Sequence, residues 1–169
     1  MTDRKNNVDE LLKDLNSNDI KKRLSAVNGL VEQGGKQVEN KLIKLLSDNS
    51  WHMRVYVAKI LGGFGKDNIS SILNVAKYGV WYVRSVVCLT LGYIGEIECI
   101  DPLLTFLEDD SSRVRIDAEE AMLSIINRDR VKFVETYLSR KDADFQEFIL
   151  EKLKKIDSDL YKDILDEGS

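Results

Sequence analysis

Proline, histidine and cysteine are all scarce in this chain of 169 residues, and each scarcity narrows what it can be. With a single proline, Pro102, helices run uninterrupted, because proline removes a backbone donor and breaks a helix interior. With a single histidine, His52, there is no H-E-x-x-H motif and no His-rich metal set. The two cysteines, Cys88 and Cys99, make neither a disulfide framework nor a thiolate metal site. They fall in apolar surroundings in different helices of the pattern and read as reduced packing residues. No segment approaches the ~20 apolar residues of a membrane span, and the polar opening M-T-D-R-K-N-N has no apolar stretch of signal-peptide length behind it. Those two features predict a cytoplasmic protein with no membrane partner. Net positive charge is missing as well. Lys and Arg number 25 against 29 Asp and Glu, a formal charge of −4, so no global basic field draws in a polyanion.

What the chain does have is self-similarity. Residues 81 to 95, W-Y-V-R-S-V-V-C-L-T-L-G-Y-I-G, overlay residues 51 to 65, W-H-M-R-V-Y-V-A-K-I-L-G-G-F-G, with six identities. Taking the arginine as a marker, the series Arg23, Arg54, Arg84, Arg115 recurs every 30 or 31 residues, and a fifth register falls on Gln146. Seven residues after each marker stand Leu30, Leu61, Leu91, Met122 and Leu153; eight before stand Leu15, Leu46, Ala76, Leu107 and Leu138. A period of this size marks a stack of helical units, each too small to bury its own apolar face alone. Five units follow, and the fold class is all-α.

Residues 1–7 read as a flexible lead-in and 8–156 as one repeat domain, with units near 8–35, 38–65, 68–95, 98–126 and 129–156. Within a unit, an apolar stripe at helical spacing such as Leu11, Leu12, Leu15 is followed by a polar turn such as Asn16-Ser17-Asn18-Asp19, then a second apolar helix. Glycine pairs, Gly34-Gly35 among them, punctuate the ends, and Gly62-Gly63-Phe64-Gly65 reads as a helix stop. The turn of unit three, with Tyr78 and Gly79, is more apolar than the others. Unit five lacks both the arginine and the closing glycine and reads as a C-terminal cap. The acidic tail 157–169 places Leu160, Tyr161, Ile164 and Leu165 on a short amphipathic helix folded over the last unit.

The pattern W-x-M/V-R-x-x-V-x-x-x-L-G with a glycine three residues on, together with D-x-x-x-x-x-R at Asp48/Arg54 and Asp109/Arg115, resembles the short HEAT repeats of the phycobilisome-lyase type. The resemblance covers units two to four closely and units one and five loosely. It implies a right-handed α-α superhelix of antiparallel helix pairs, with the second helices lining a concave surface and the Asp and Arg side chains forming a ladder across the turns. A physical reason supports the ladder: each turn leaves carbonyls of one helix and amides of the next unpaired, and an Asp with an Arg fork satisfies several of them. Asp48, Arg54, Arg84, Asp109 and Arg115 are therefore structural candidates, not a catalytic or phosphate-binding row.

No catalytic constellation emerges. A hydroxylase built on such repeats needs several His-Glu pairs around a di-iron centre, which one histidine cannot supply. A Cys-His pair would need His52 to meet Cys88 or Cys99, yet Cys88 falls on the packing side of its helix. No phosphate-binding G-x-x-x-x-G-K-S/T and no G-x-S-x-G occurs. The chain reads as non-enzymatic, with no cofactor and no metal.

Placing each second helix on a 100° wheel turns the positions one, two, five and nine after the marker outward. That face offers Tyr56 and Lys59 in unit two, Val86, Leu89 and Tyr93 in unit three, and Asp117 and Glu120 in unit four, with Trp51 and Trp81 at its edge. It is apolar and aromatic in the middle and acidic toward Glu147 and Glu151. These residues are the candidate partner-binding set for a helix or extended segment of another protein, of basic character where it meets the acidic end. The cluster Arg128, Arg130, Lys132, Arg140 and Lys141 is interrupted by Asp129, Glu135 and Asp142, so it reads as a solvated face and not as a nucleic-acid site. Two other readings stand beside the interaction module: a bilin lyase-like or chaperone subunit, which the resemblance suggests, and self-association through the apolar patch.

Overall fold

A computed structural model describes residues 2–139 and 142–167 as all-α, with no strand among the described residues. Helix α1 covers Thr2–Asp14 and α2 Ile20–Gln33; α3 is Lys36–Leu45 and α4 Trp51–Gly62; α5 is Ile69–Ala76 and α6 Trp81–Ile94. Then come α7 (Ile100–Phe106), α8 (Ser112–Arg128), a short α9 (Arg130–Phe133) running into a π turn at Val134–Leu138, α10 (Ala143–Ile156) and α11 (Ser158–Glu167). Helix α1 begins at Thr2, so residues 2–7 continue the first helix instead of forming the expected lead-in.

The packing follows chain order. Each of α2, α4, α6 and α8 packs on its own unit's preceding helix; α2, α4 and α6 also pack on the equivalent helix of the next unit, whereas α8 is followed by the short α9, and α3 packs on α5. Leu30, Leu61, Leu91, Met122 and Leu153, seven residues after the marker, are all buried in one continuous core. Leu15, Leu46, Ala76 and Leu107 join them from the preceding helices, and Leu138 packs against the core half-buried.

Local chemistry sets the helix ends. Asp19 caps α2 through Lys21 N–H at 2.8 Å, and Ser50 caps α4 through Met53 N–H at 3.4 Å. Gly34, Gly65 and Gly95 take positive φ where a helix or turn closes, a conformation that costs other residues a steric penalty. Helix α4 stops at Gly62-Gly63 as the glycine run predicts, and Gly62 has a second part as well. It is the last residue of α4, and a Cβ there would lie 2.4 Å from Tyr93 Cβ on α6. Gly92 plays the same part between α6 and α8, where a Cβ would meet Ala121 Cβ at 3.0 Å. The Leu-Gly pair shared by units two and three is thus a close-approach site that lets second helices touch.

The C-terminal end is closed with aromatics. Phe133 and Tyr137 are buried and stacked at 5.3 Å, and Tyr137 faces Phe145 at 6.1 Å. Asp157 caps α11 by accepting from Asp159 and Leu160 N–H, and Leu160 and Ile164 seal its inner face. Tyr161 is half-buried, while Leu165 is exposed.

Candidate functional site

Two features of the second helices bear on function: the turns at their N-terminal ends and the strip of surface along their outer sides.

At the turns, each Asp bonds to the arginine of the unit before it. Asp48 takes the Arg23 guanidinium at both carboxylate oxygens, while Arg23 Nε donates to Leu15 O at 2.7 Å. Asp109 takes Arg84 Nε at 2.6 Å and Nη2 at 2.8 Å, while Arg84 Nη1 donates to Gly79 O at 2.9 Å. Both carboxylates also accept the amide two residues on, Ser50 N–H at 2.9 Å and Ser111 N–H at 2.8 Å. Within its own unit, Arg54 reaches only main chain, the carbonyls of Asp48 at 2.6 Å and Asn49 at 3.1 Å. Arg115 does the same with Asp109 O at 2.7 Å and Asp110 O at 3.2 Å. The D-x-x-x-x-x-R spacing therefore marks a carbonyl contact inside one unit, and the ion pair spans two units at a separation of 25 residues. That second spacing was present in the sequence but not in the motif. Gln146, in the fifth register, keeps the carbonyl half of the job by donating to Leu138 O at 2.8 Å.

These pairs have electrostatic consequences. The hydrogen bond from Arg84 holds the Asp109 carboxyl below its ordinary range, and the pairing raises the Arg84 guanidinium in turn.

Along the helices, two of the residues expected outward are buried. Val86 has no accessible surface, because α6 is flanked by α4 and α8 on both sides and their side chains close over it. Asp117 is also fully buried. It accepts the Ser85 hydroxyl, and Arg113 grips it with Nε 3.0 Å from Oδ2 and Nη2 2.6 Å from Oδ1. Asp117 is thus an interhelical anchor, hydrogen-bonded through Oδ2 and ion-paired with Arg113, rather than part of an acidic rim. Neither its depth nor the Ser85–Asp117–Arg113 cluster could be seen from a wheel drawn for one helix.

Leu89 is half-buried and Tyr93 is 42% exposed; with Gly92, Ala121, Glu120, Ser124 and Arg128 they line a shallow pocket of about 150 Å³ between α6 and α8. Tyr56 is half-buried, its hydroxyl donating to Asn28 at 2.5 Å, and Lys59 is exposed. Trp51 and Trp81, 44% and 51% exposed, lie at the other end of their helices. Trp81 and Tyr93 are twelve residues apart on α6, or about 18 Å along its axis. The aromatic residues thus form two surfaces, one along the outer strip and one at the turns.

The remaining chemistry is inert. Burial pushes the Cys88 thiol far up and the Cys99 thiol up to about 12, so neither supplies a thiolate. His52 is exposed at the start of α4. Among the described residues no group of three or more His, Cys, Asp or Glu could hold a metal ion, and no helix is long and apolar enough to cross a membrane. Of the basic cluster, Arg128 donates to Ile94 O at 3.4 Å and Arg130 pairs with Asp163 at 3.1 Å; Arg140 and Lys141 lie outside the described residues.

No family profile and no curated protein sequence matches this chain. Among solved structures it is similar to the crystal structure of an engineered protein, at 21% identity over 95% of this chain and 85% of that one, with a TM-score of 0.37. That likeness is too distant to bear on fold or function.

Proposed function

We propose that this chain is a non-enzymatic protein–protein interaction module of the cytoplasm, a HEAT-like right-handed α-solenoid that holds a helix or extended segment of a partner along its second helices. The observation that carries the reading is the pocket between α6 and α8, where an exposed Tyr93 stands beside a floor of Gly92 and Ala121. An aromatic side chain left partly in water beside an apolar hollow is a typical anchor for a partner's side chain. Glu120 borders the pocket together with Arg128, and Glu147 is exposed on α10; a basic segment of the partner would meet the two glutamates, and Asp117 does not contribute.

The test is capture of partners from the native cell extract by the wild-type protein and by the Tyr56→Ala/Tyr93→Ala double variant. The binding strip predicts loss of the captured partner with the helical circular dichroism spectrum unchanged. Equal capture by a folded double variant removes the strip as the site.

A further inference from the structure

The arginine rungs are not all complete. Arg23 and Arg84 each close on a carboxylate in the turn of the following unit, but Arg54 has none to meet. The turn it faces, Lys77-Tyr78-Gly79-Val80, is one residue shorter than its counterparts at 46–50 and 107–111 and contains no acid. Arg54 is nonetheless 94% buried by its 6% exposure, and its Nε is buried with no acceptor. Its guanidinium carbon lies 4.4 Å from the Tyr82 ring centroid and 5.6 Å from that of Trp51. The ring faces attract the cation but accept nothing from its N–H edge. The amide matching Ser50 N–H and Ser111 N–H is also unmet: Val80 precedes α6 with no side-chain cap bond, and its N–H has no acceptor among the described residues. Two donors that elsewhere share one carboxylate are left without it.

The turn itself does not supply the missing group. Six residues before the marker and two before the capping residue, where Asp48 and Asp109 stand in the neighbouring turns, this turn carries Tyr78, which brings no carboxylate. Around the gap the surface is apolar and open: Tyr78 is 87% exposed, and Val80, Trp81 and Trp51 each about half. Trp81 packs edge-on against Tyr82 at 5.7 Å, and Tyr82 and Trp51 cover the Arg54 guanidinium, so the exposed indoles lie directly above the buried cation.

We propose that this turn edge docks an acidic segment of a partner protein. The partner's Asp or Glu carboxylate completes the rung with Arg54 and the α6 N-terminus, and a neighbouring apolar side chain rests on Trp51 and Trp81. Its charge preference is opposite to that of the strip along α6 and α8, and the two surfaces are separable.

The probe is the blocked tripeptide N-acetyl-Leu-Asp-Phe-amide, with its Asn counterpart as control, titrated into the ¹⁵N-labelled full chain and followed by NMR. The Arg54 Nε–H and Val80 N–H resonances are expected to shift saturably with the Asp peptide and about tenfold more weakly with the Asn peptide. Trp81→Ala, at an exposed position, is expected to weaken the Asp peptide severalfold without altering the rest of the spectrum. Tyr93→Ala is expected to leave it unchanged, which keeps this outcome separate from that of the pocket on α6 and α8. Equal response to both peptides makes the edge a purely apolar contact and overturns the proposal. So do shifts confined to Tyr93 and Glu120, shifts produced by dilution of the protein alone, or no shift at millimolar peptide.

Discussion

Replacing Arg84 with alanine tests the rung where it is complete. The substitution removes three hydrogen bonds, two to the Asp109 carboxylate and one to Gly79 O, and leaves that carboxylate with the Ser111 amide as its remaining donor. The Asp109 side chain is 9% exposed, so water cannot fully replace the lost donors. Breaking a fully buried pair costs about 3–5 kcal/mol; with Arg84 26% exposed, the expected loss is smaller, about 2–3 kcal/mol. For a chain of this size that lowers Tm by roughly 5–10 °C. Urea unfolding followed by circular dichroism at pH 7 measures it, and a double-mutant cycle with Asp109→Ala isolates the pair. Acid gives a second reading with a defined sign. Arg84 depresses the folded-state pKa of Asp109, so the pair stabilises the fold above the ordinary carboxylate pKa of about 4 and loses that contribution as pH falls through the lower folded value. The gap between wild type and variant should therefore narrow in acid. A gap below about 0.5 kcal/mol at pH 7, or one that stays constant into acid, refutes the rung as a stabilising pair.

Gly62→Ala adds a methyl 2.4 Å from Tyr93 Cβ, and thermal melts should show a net loss of about 1–3 kcal/mol despite alanine's better helix propensity. Asp117→Ala strands the buried Ser85 hydroxyl and frees Arg113, for an expected loss of about 1–3 kcal/mol in urea unfolding; Glu120→Ala, at an exposed position, should change stability by less than about 0.5 kcal/mol. Cys88 and Cys99 should stay unreactive toward Ellman's reagent at pH 8 in the native protein and react together on unfolding, since burial raises both thiols well above that pH.

Much of the local architecture was legible without coordinates. The positions seven after the marker line the core because a 30-residue period repeats one helix face at each turn of the pattern. The capping residues Asp19 and Ser50 act where their chemistry predicts. The loss of the acid from the third turn could also be read directly, as a turn of unusual apolarity. What it leaves behind could not: Arg54 matters because its neighbours bury it, and burial belongs to the packed whole.

The amino-acid order by itself determined the period, the all-helical class, the inert cysteines and the residue types at each turn, because these depend on spacing along one chain. Tertiary structure alone decided which arginine meets which aspartate, since hydrogen bonds join the chain ends that packing brings near, 25 residues apart in place of six. It also decided that Val86 and Asp117 face inward. A helical wheel assumes one buried side, whereas α6 and α8 are pressed by neighbours from more than one direction, and the arc left to water is correspondingly narrower.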